Sequence, residues 1–223
     1  MIAVQFEILR DVFWSPSRAV ANAAGMKSLW GVRVLVLAMV GISTALANDF
    51  MMRVFVSGAR SYHEASSFET LIPFAGYVAV GTALAAQAVS WHVRAAFLYI
   101  LQTLISCANI PYRKFLSVAV LSSIVANLAP FHLLVVWYVR GVESFASIHE
   151  LFVPTGLNLL PIQMSPLVWN LLGYFNPYEL GCAAFLAFGF SYLTRIPAKS
   201  GYVILGGLWL VWALVRASLF STP

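Results

Sequence analysis

Apolar positions dominate this chain in long runs, with the polar residues gathered between them. The runs are residues 28–47, 71–106, 115–139, 177–193 and 201–219. A helix needs about 20 apolar residues to cross about 30 Å of hydrocarbon, so each run is a candidate span. The second is too long to stand perpendicular, since its 36 residues would make a helix of about 54 Å. Two spans would need a turn in its middle, yet "AAQAVSWHVRAAF" holds no Gly, Pro or Asn. The pattern therefore predicts one long helix that tilts or projects from the bilayer. The third run carries Pro130 inside it. The expected fold is an all-α membrane protein with five transmembrane helices over residues 28–223, preceded by an inner-leaflet segment, 1–27.

In that first segment Ile2, Phe6, Leu9 and Phe13 fall on one helix face, with Glu7, Arg10 and Asp11 away from it. Ser15 caps a second helix, Pro16 opens it and Gly25 closes it. The reading is a broken amphipathic helix on the inner leaflet, anchored by Lys27. From Met26 onward a Lys, an apolar run and the end Ala45-Leu46-Ala47 have the outline of a secretory leader. The run is long enough to span and 25 residues precede it, so it is read as a retained helix. Ser15 has no base near it in sequence, which favours the cap over a nucleophile.

Two outer segments separate the runs. Residues 48–70, with Arg53, Arg60, His63, Glu64 and Glu69, read as a loop. Residues 140–176 are mostly apolar, unlike a solvated loop. There Ser165 can cap a short helix with Pro166 at its first position and Gly173 near its end. Trp169, Tyr174, Phe175 and Tyr178 would lie at headgroup depth of the outer interface. Asn176, Pro177 and Glu179 start the fourth span as N-cap, first position and the acidic position of a capping box.

Composition fixes the class. Hydrophobic residues make up 61% and charged ones 9%, against about 25% charged in soluble domains, and mean hydropathy is +0.85. The net charge is +5, but the cations sit at segment ends, which suits membrane orientation and not nucleic-acid binding. With the N-terminus inside, Arg10, Arg18, Lys27, Arg94, Arg113, Lys114, Arg195 and Lys199 are inner and Arg53, Arg60 and Arg140 outer. The positive-inside rule then predicts N-in and C-out. Arg33 and Arg216 lie at span ends and can snorkel. Cys107 and Cys182 form no CxxC or Cys/His cluster, so no zinc site or disulfide is indicated and no cofactor is expected.

The order of features resembles the Yip family of integral membrane proteins (Ypt/Rab-interacting proteins and their prokaryotic relatives). Residues 8–30, "ILRDVFWSPSRAVANAAGMKSLW", resemble the pre-span segment of prokaryotic members. Residues 95–130 resemble the second and third spans with their short basic hinge, and residues 164–219 resemble the closing pair of spans with its Asn-Pro-aromatic entry. The hinge departs from the Gly-Gly of prokaryotic members, reading Ala108-Asn109-Ile110-Pro111. The Tyr-Gly-Pro signature of eukaryotic relatives is absent, so Rab binding does not carry over. The resemblance implies a five-span protein of the bacterial cytoplasmic membrane, sometimes associated with transport systems, and supplies no catalytic residues.

No HExxH, Walker loop, Gly-x-Ser-x-Gly or GxGxxG is present, and no two acids share a span. The candidate buried or partner-facing polar residues are Gln87, Arg94, Asn127 and His132. Gln87, Ser90 and Arg94 share a helix face, either as a polar stripe or with Arg94 marking the inner interface. Asn127 and His132 flank Pro130, whose freed carbonyl they can satisfy. Small residues on spans three to five, including Ser122, Ser123, Gly181, Gly189, Gly206 and Gly207, allow close helix approach within the bundle or with a partner. The expected function is a non-catalytic scaffold, assembly or regulatory subunit of a larger membrane complex. Its partners would be the lipid bilayer and other integral membrane subunits, as a homo- or hetero-oligomer. A component of a transporter or permease is the alternative.

Overall fold

The structure is a computed structural model and describes residues 2–26, 29–58, 62–106, 109–145, 151, 155–159 and 165–219. Lys27, Ser28, Arg60, Cys107 and Ala108 lie outside these, as do 146–150, 152–154 and 160–164 of the second outer segment. The helices are α1 (Ile2–Trp14), α2 (Pro16–Gly25), α3 (Trp30–Gly58), α4 (Tyr62–Ile105), α5 (Tyr112–Ala126), α6 (Leu128–Arg140), α7 (Pro166–Tyr174), α8 (Pro177–Thr194) and α9 (Ala198–Leu219). No strand occurs among the described residues.

Among the described residues four stretches are long and apolar enough to cross a bilayer: Trp30–Val56, Phe74–Ile105, Tyr112–Arg140 and Ala198–Leu219. The chain is a multi-pass helical membrane protein. The expected fourth span is present as helix α8, 18 residues long, but it is not among these four. Its ends are polar, with Tyr178 and Glu179 at one and Ser191, Tyr192 and Thr194 at the other.

The expected single helix across 71–106 is observed, and α4 runs further, through 44 residues. The expected outer loop 48–70 is a correction. Helix α3 continues to Gly58 and α4 begins at Tyr62. No Gly or Pro interrupts Asn48 to Ser57, and Asp49 pairs with Arg53 one turn on at 2.9 Å, so polar residues alone do not stop the helix. In the third run the helix breaks at Asn127, between α5 and α6. Pro130 supplies no N–H and its ring crowds the carbonyl of Ala126, which is where α5 ends.

The chain divides into two compact units, Met1–Val34, Ser90–Ala126 and Pro154–Pro223 forming one, Leu35–Val89 and Asn127–Val153 the other. The first is centred on α5, in which every residue from Phe115 to Ile124 is buried. Such all-round burial needs small or close-fitting neighbours, and α8 provides them. A Cβ on Gly189 would stand 2.5 Å from Val118 Cγ1, and one on Gly181 2.8 Å from Val125 Cγ1. Phe115 and Phe190 meet with ring centroids 6.1 Å apart. Helix α9 packs on the other side of α8, where the Ser191 side chain occupies the space a Cβ on Gly201 would take.

Helix α2 lies on α5 and α8 through Ala19, Val20 and Ala23. Helix α1 does not turn the face of Phe6 and Phe13, expected on the inner leaflet, toward the protein. Phe6 is 66% exposed, whereas Ile8, Val12 and Asp11 are buried and Gln5 fits against Gly31 at the start of α3. The helix has two apolar faces, and the aromatic one is turned away from the protein, as lipid contact requires.

The second unit has its own core. Phe50 stacks on Trp137 at 5.7 Å and meets Phe145 edge-on at 5.8 Å, with Val54, Leu134 and Leu151 around them. The Trp137 indole N–H donates to the Leu151 carbonyl at 2.9 Å, and the Arg140 guanidinium lies 4.5 Å over the Phe145 ring.

Candidate functional site

The first unit carries a groove walled by α4, α8 and α9, with a cavity volume of about 610 Å³. Helical spacing builds it. Glu179, Cys182, Ala183 and Leu186 repeat along one face of α8; Leu205, Leu208, Trp209, Trp212, Val215 and Arg216 do so along α9; Ser90, Arg94, Phe97 and Leu98 line it from α4. Apolar walls with a few convergent polar groups, at this size, are the usual character of a small-molecule site. The groove faces outward, because Val93, Val211 and Trp212 are each more than half exposed.

Caps position its charged end. The Asn176 carboxamide oxygen accepts from the Tyr178 and Glu179 N–H groups at 3.0 and 2.9 Å, and Pro177 takes the first helical position, as expected. Glu179 does not complete the reciprocal half of a capping box; its side chain lines the groove. One turn on, the Arg94 guanidinium donates to Cys182 Sγ at 3.3 Å. The buried Ser122 hydroxyl donates to the Ala119 carbonyl at 2.9 Å. Arg216 lies 5.5 Å over the Tyr174 ring and 5.8 Å over Trp212, which holds its guanidinium at the same end.

Arg94 of α4 thus meets α8. Cys182 stands near the start of α8, far from the basic hinge, and the long Arg94 side chain reaches toward it. Two other cations gather elsewhere: Lys114 of α5 and Arg195 at the close of α8 line one cleft with Ala21, Ala24 and Gly25 of α2.

The remaining expected residues separate. Asn127 Nδ2 donates to Gln87 Oε1 at 3.3 Å in the second unit, so Gln87 pairs with the proline-break asparagine and not with Arg94. His132 is on the exposed side of α6. Ser15 precedes α2 and Pro16 opens it, but the Ser15 hydroxyl makes no cap bond; its backbone carbonyl accepts from Arg18 and Ala19 N–H instead. Gly25 is the last residue of α2. Ser165 Oγ accepts from Val168 N–H at 3.4 Å with Pro166 at the first position of α7, which ends one residue past Gly173.

Cys182, Trp209 and Trp212 were not singled out from sequence. Their spacing with Leu186 and Leu205 was visible, but any apolar helix shows such spacing, and only the packing of three helices makes it a wall.

A second feature lies on another face of α9. Val203, Gly207, Leu210 and Leu214 are all exposed and spaced 4, 3 and 4 residues apart. Nothing lies within 4 Å of a Cβ placed on Gly206 or Gly207. No protein-family model matches this chain, and no curated protein or solved structure does.

Proposed function

We propose that this chain is a non-catalytic, five-span assembly subunit of a larger complex in the bacterial cytoplasmic membrane, and that α9 presents the seam for a transmembrane helix of another integral subunit. The observation that carries the reading is the contrast among its glycines. Gly181, Gly189 and Gly201 are each filled by a neighbouring side chain of the bundle, whereas Gly206 and Gly207 face open space beside exposed Val203, Leu210 and Leu214. Without hydrophobic drive between helices in lipid, small residues promote association by letting backbones approach closely.

Helix α8 supplies the fifth crossing in this reading. Its 18 residues extend about 27 Å, close to the hydrocarbon thickness. The cations support N-in, C-out. Lys114 and Arg195 share the cleft beside α2, and Arg216 sits at the other end of α9. The likeness to the prokaryotic branch of the Yip family agrees with this span order.

The test is recovery of the complex from native membranes in mild detergent after crosslinking. The wild-type chain should come down with a reproducible integral partner, and Gly207→Ile should lose it while the amount of inserted chain is unchanged. Recovery of the wild type only as a lone monomer, without a crosslinked neighbour, overturns the reading.

A further inference from the structure

The groove distributes its charge unevenly. Glu179, the Cys182–Arg94 contact and Arg216 lie at one end, where α8 begins and α9 finishes. From there Leu186, Leu205, Leu208, Phe97 and Leu98 continue an apolar channel along α9, with about 16 Å between the levels of Arg216 and Leu205. A charged end and an apolar body of that length match the head and acyl chain of a membrane amphiphile.

The charges choose the head. Arg94 presents a fork of N–H donors, and its one hydrogen bond among the described residues goes to a sulfur, a weak acceptor. Neither ion pair among the described residues involves Arg94 or Glu179. An ionised group at membrane depth is costly and marks a functional place. Among the residues lining the groove, the formal charges of Arg94, Arg216 and Glu179 sum to one positive charge. A phosphodiester with one net negative charge neutralises it; a zwitterionic head adds no net charge. Guanidinium forks also suit phosphate oxygens geometrically.

We infer that this groove is a binding site for an anionic phospholipid of the surrounding bilayer, its phosphate held by Arg94 and Arg216 and one acyl chain laid between α4 and α9. Entry is lateral, through the exposed walls at Val93, Val211 and Trp212. The site is independent of the seam at Gly207, which is on another face of α9.

The test uses the full chain in a neutral maltoside detergent, titrated with phosphatidylglycerol or phosphatidylcholine carrying brominated acyl chains, and follows tryptophan quenching. Phosphatidylglycerol should half-saturate at roughly tenfold lower mole fraction, a ratio worth about 1.4 kcal/mol. The Trp209→Phe/Trp212→Phe variant should lose most of the saturable quenching. Arg94→Gln/Arg216→Gln should abolish the preference, the double Lys variant should keep part of it, and Glu179→Gln should strengthen it. Equal binding of the two lipids overturns the proposal. So does a preference that survives the double Gln variant, or quenching that survives loss of both tryptophans. Circular dichroism reports folding. If the double Gln variant does not fold, Ala183→Leu, which fills the groove without changing charge, must weaken phosphatidylglycerol quenching by a similar factor, and unchanged binding overturns the assignment.

Discussion

Helices α8 and α9 are consecutive, both rich in glycine and aromatic residues, yet the structure uses them oppositely. Helix α8 is packed on both sides, by α5 and by α9, and buries Cys182, Phe185, Ala187, Phe190, Ser191 and Thr194. Helix α9 leaves most of its surface outward, with Gly201, Leu205, Ala213 and Ala217 as its buried positions. Helix α9 meets the length and apolarity required for a span, whereas the more central α8, with polar residues at both ends, is not among the helices that do. In lipid this is the expected direction. A helix facing hydrocarbon must be apolar all round, whereas one enclosed by protein can keep hydroxyls and a carboxylate, provided that they find acceptors, donors or a groove.

The comparison can be broken most forcefully at Phe190. Its ring is fully buried against Phe115. Phe190→Ala should cost about 3 kcal/mol in reversible unfolding from mixed micelles, the low end for a buried aromatic, because the unfolded helices stay in hydrocarbon and only packing is lost. Leu210→Ala on α9 should change stability by under about 0.5 kcal/mol, as for exposed positions generally. Equal losses at the two sites would mean that α9 is not the peripheral helix.

Next in size is a small-to-large change. Gly189→Val meets Val118 Cγ1 and Cγ2, where even a Cβ would lie at 2.5 and 2.9 Å. Buried residues of α5 surround that side chain, so it cannot swing away, and the cost should be about 2 kcal/mol. A thermal-unfolding midpoint indistinguishable from wild type would show that α5 and α8 do not interlock as described.

A smaller effect tests why α8 can carry polar residues. The hydroxyls of Ser191 and Thr194 donate to the carbonyls of Ala187 and Phe190 in their own helix, at 2.9 and 2.7 Å. They are satisfied locally and bridge to nothing else in the fold by these bonds. Ser191→Ala/Thr194→Val should therefore shift unfolding by no more than about 0.6 kcal/mol, near the average for hydrogen bonds within membrane bundles. A loss several times larger would reveal a role between helices.

The same contrast explains what could be read from the residues alone. Features set by neighbours along the chain were legible: Asn176 and Pro177 opening α8, Ser165 and Pro166 opening α7, and the uninterrupted α4 that has no turn residue in its middle. Features set by other helices were not. The spacing of Phe6 and Phe13 identified the outward, leaflet-side face of α1 but not the second face, with Ile8 and Val12, that packs on the protein. For Arg94 a sequence gives no direction for the long side chain; contact with Cys182 does. Glycines on α8 and α9 looked alike until their neighbours were known.

The smallest expected effect on the chain's own stability is also the one that separates bundle from partner. Gly207→Ile adds a branched side chain where nothing lies within 4 Å of the new Cβ. Unfolding should move by less than about 0.5 kcal/mol, and the sign should be slightly favourable, because isoleucine is a better helix former than glycine. Any strong loss of stability would mean that the bundle itself uses this face. If stability holds and the partner complex dissociates, the added bulk has blocked the close approach that only a glycine permits. The opposing outcomes at Gly189 and Gly207 would then place the internal and external packing surfaces on two successive helices, with α8 enclosed and α9 offered outward.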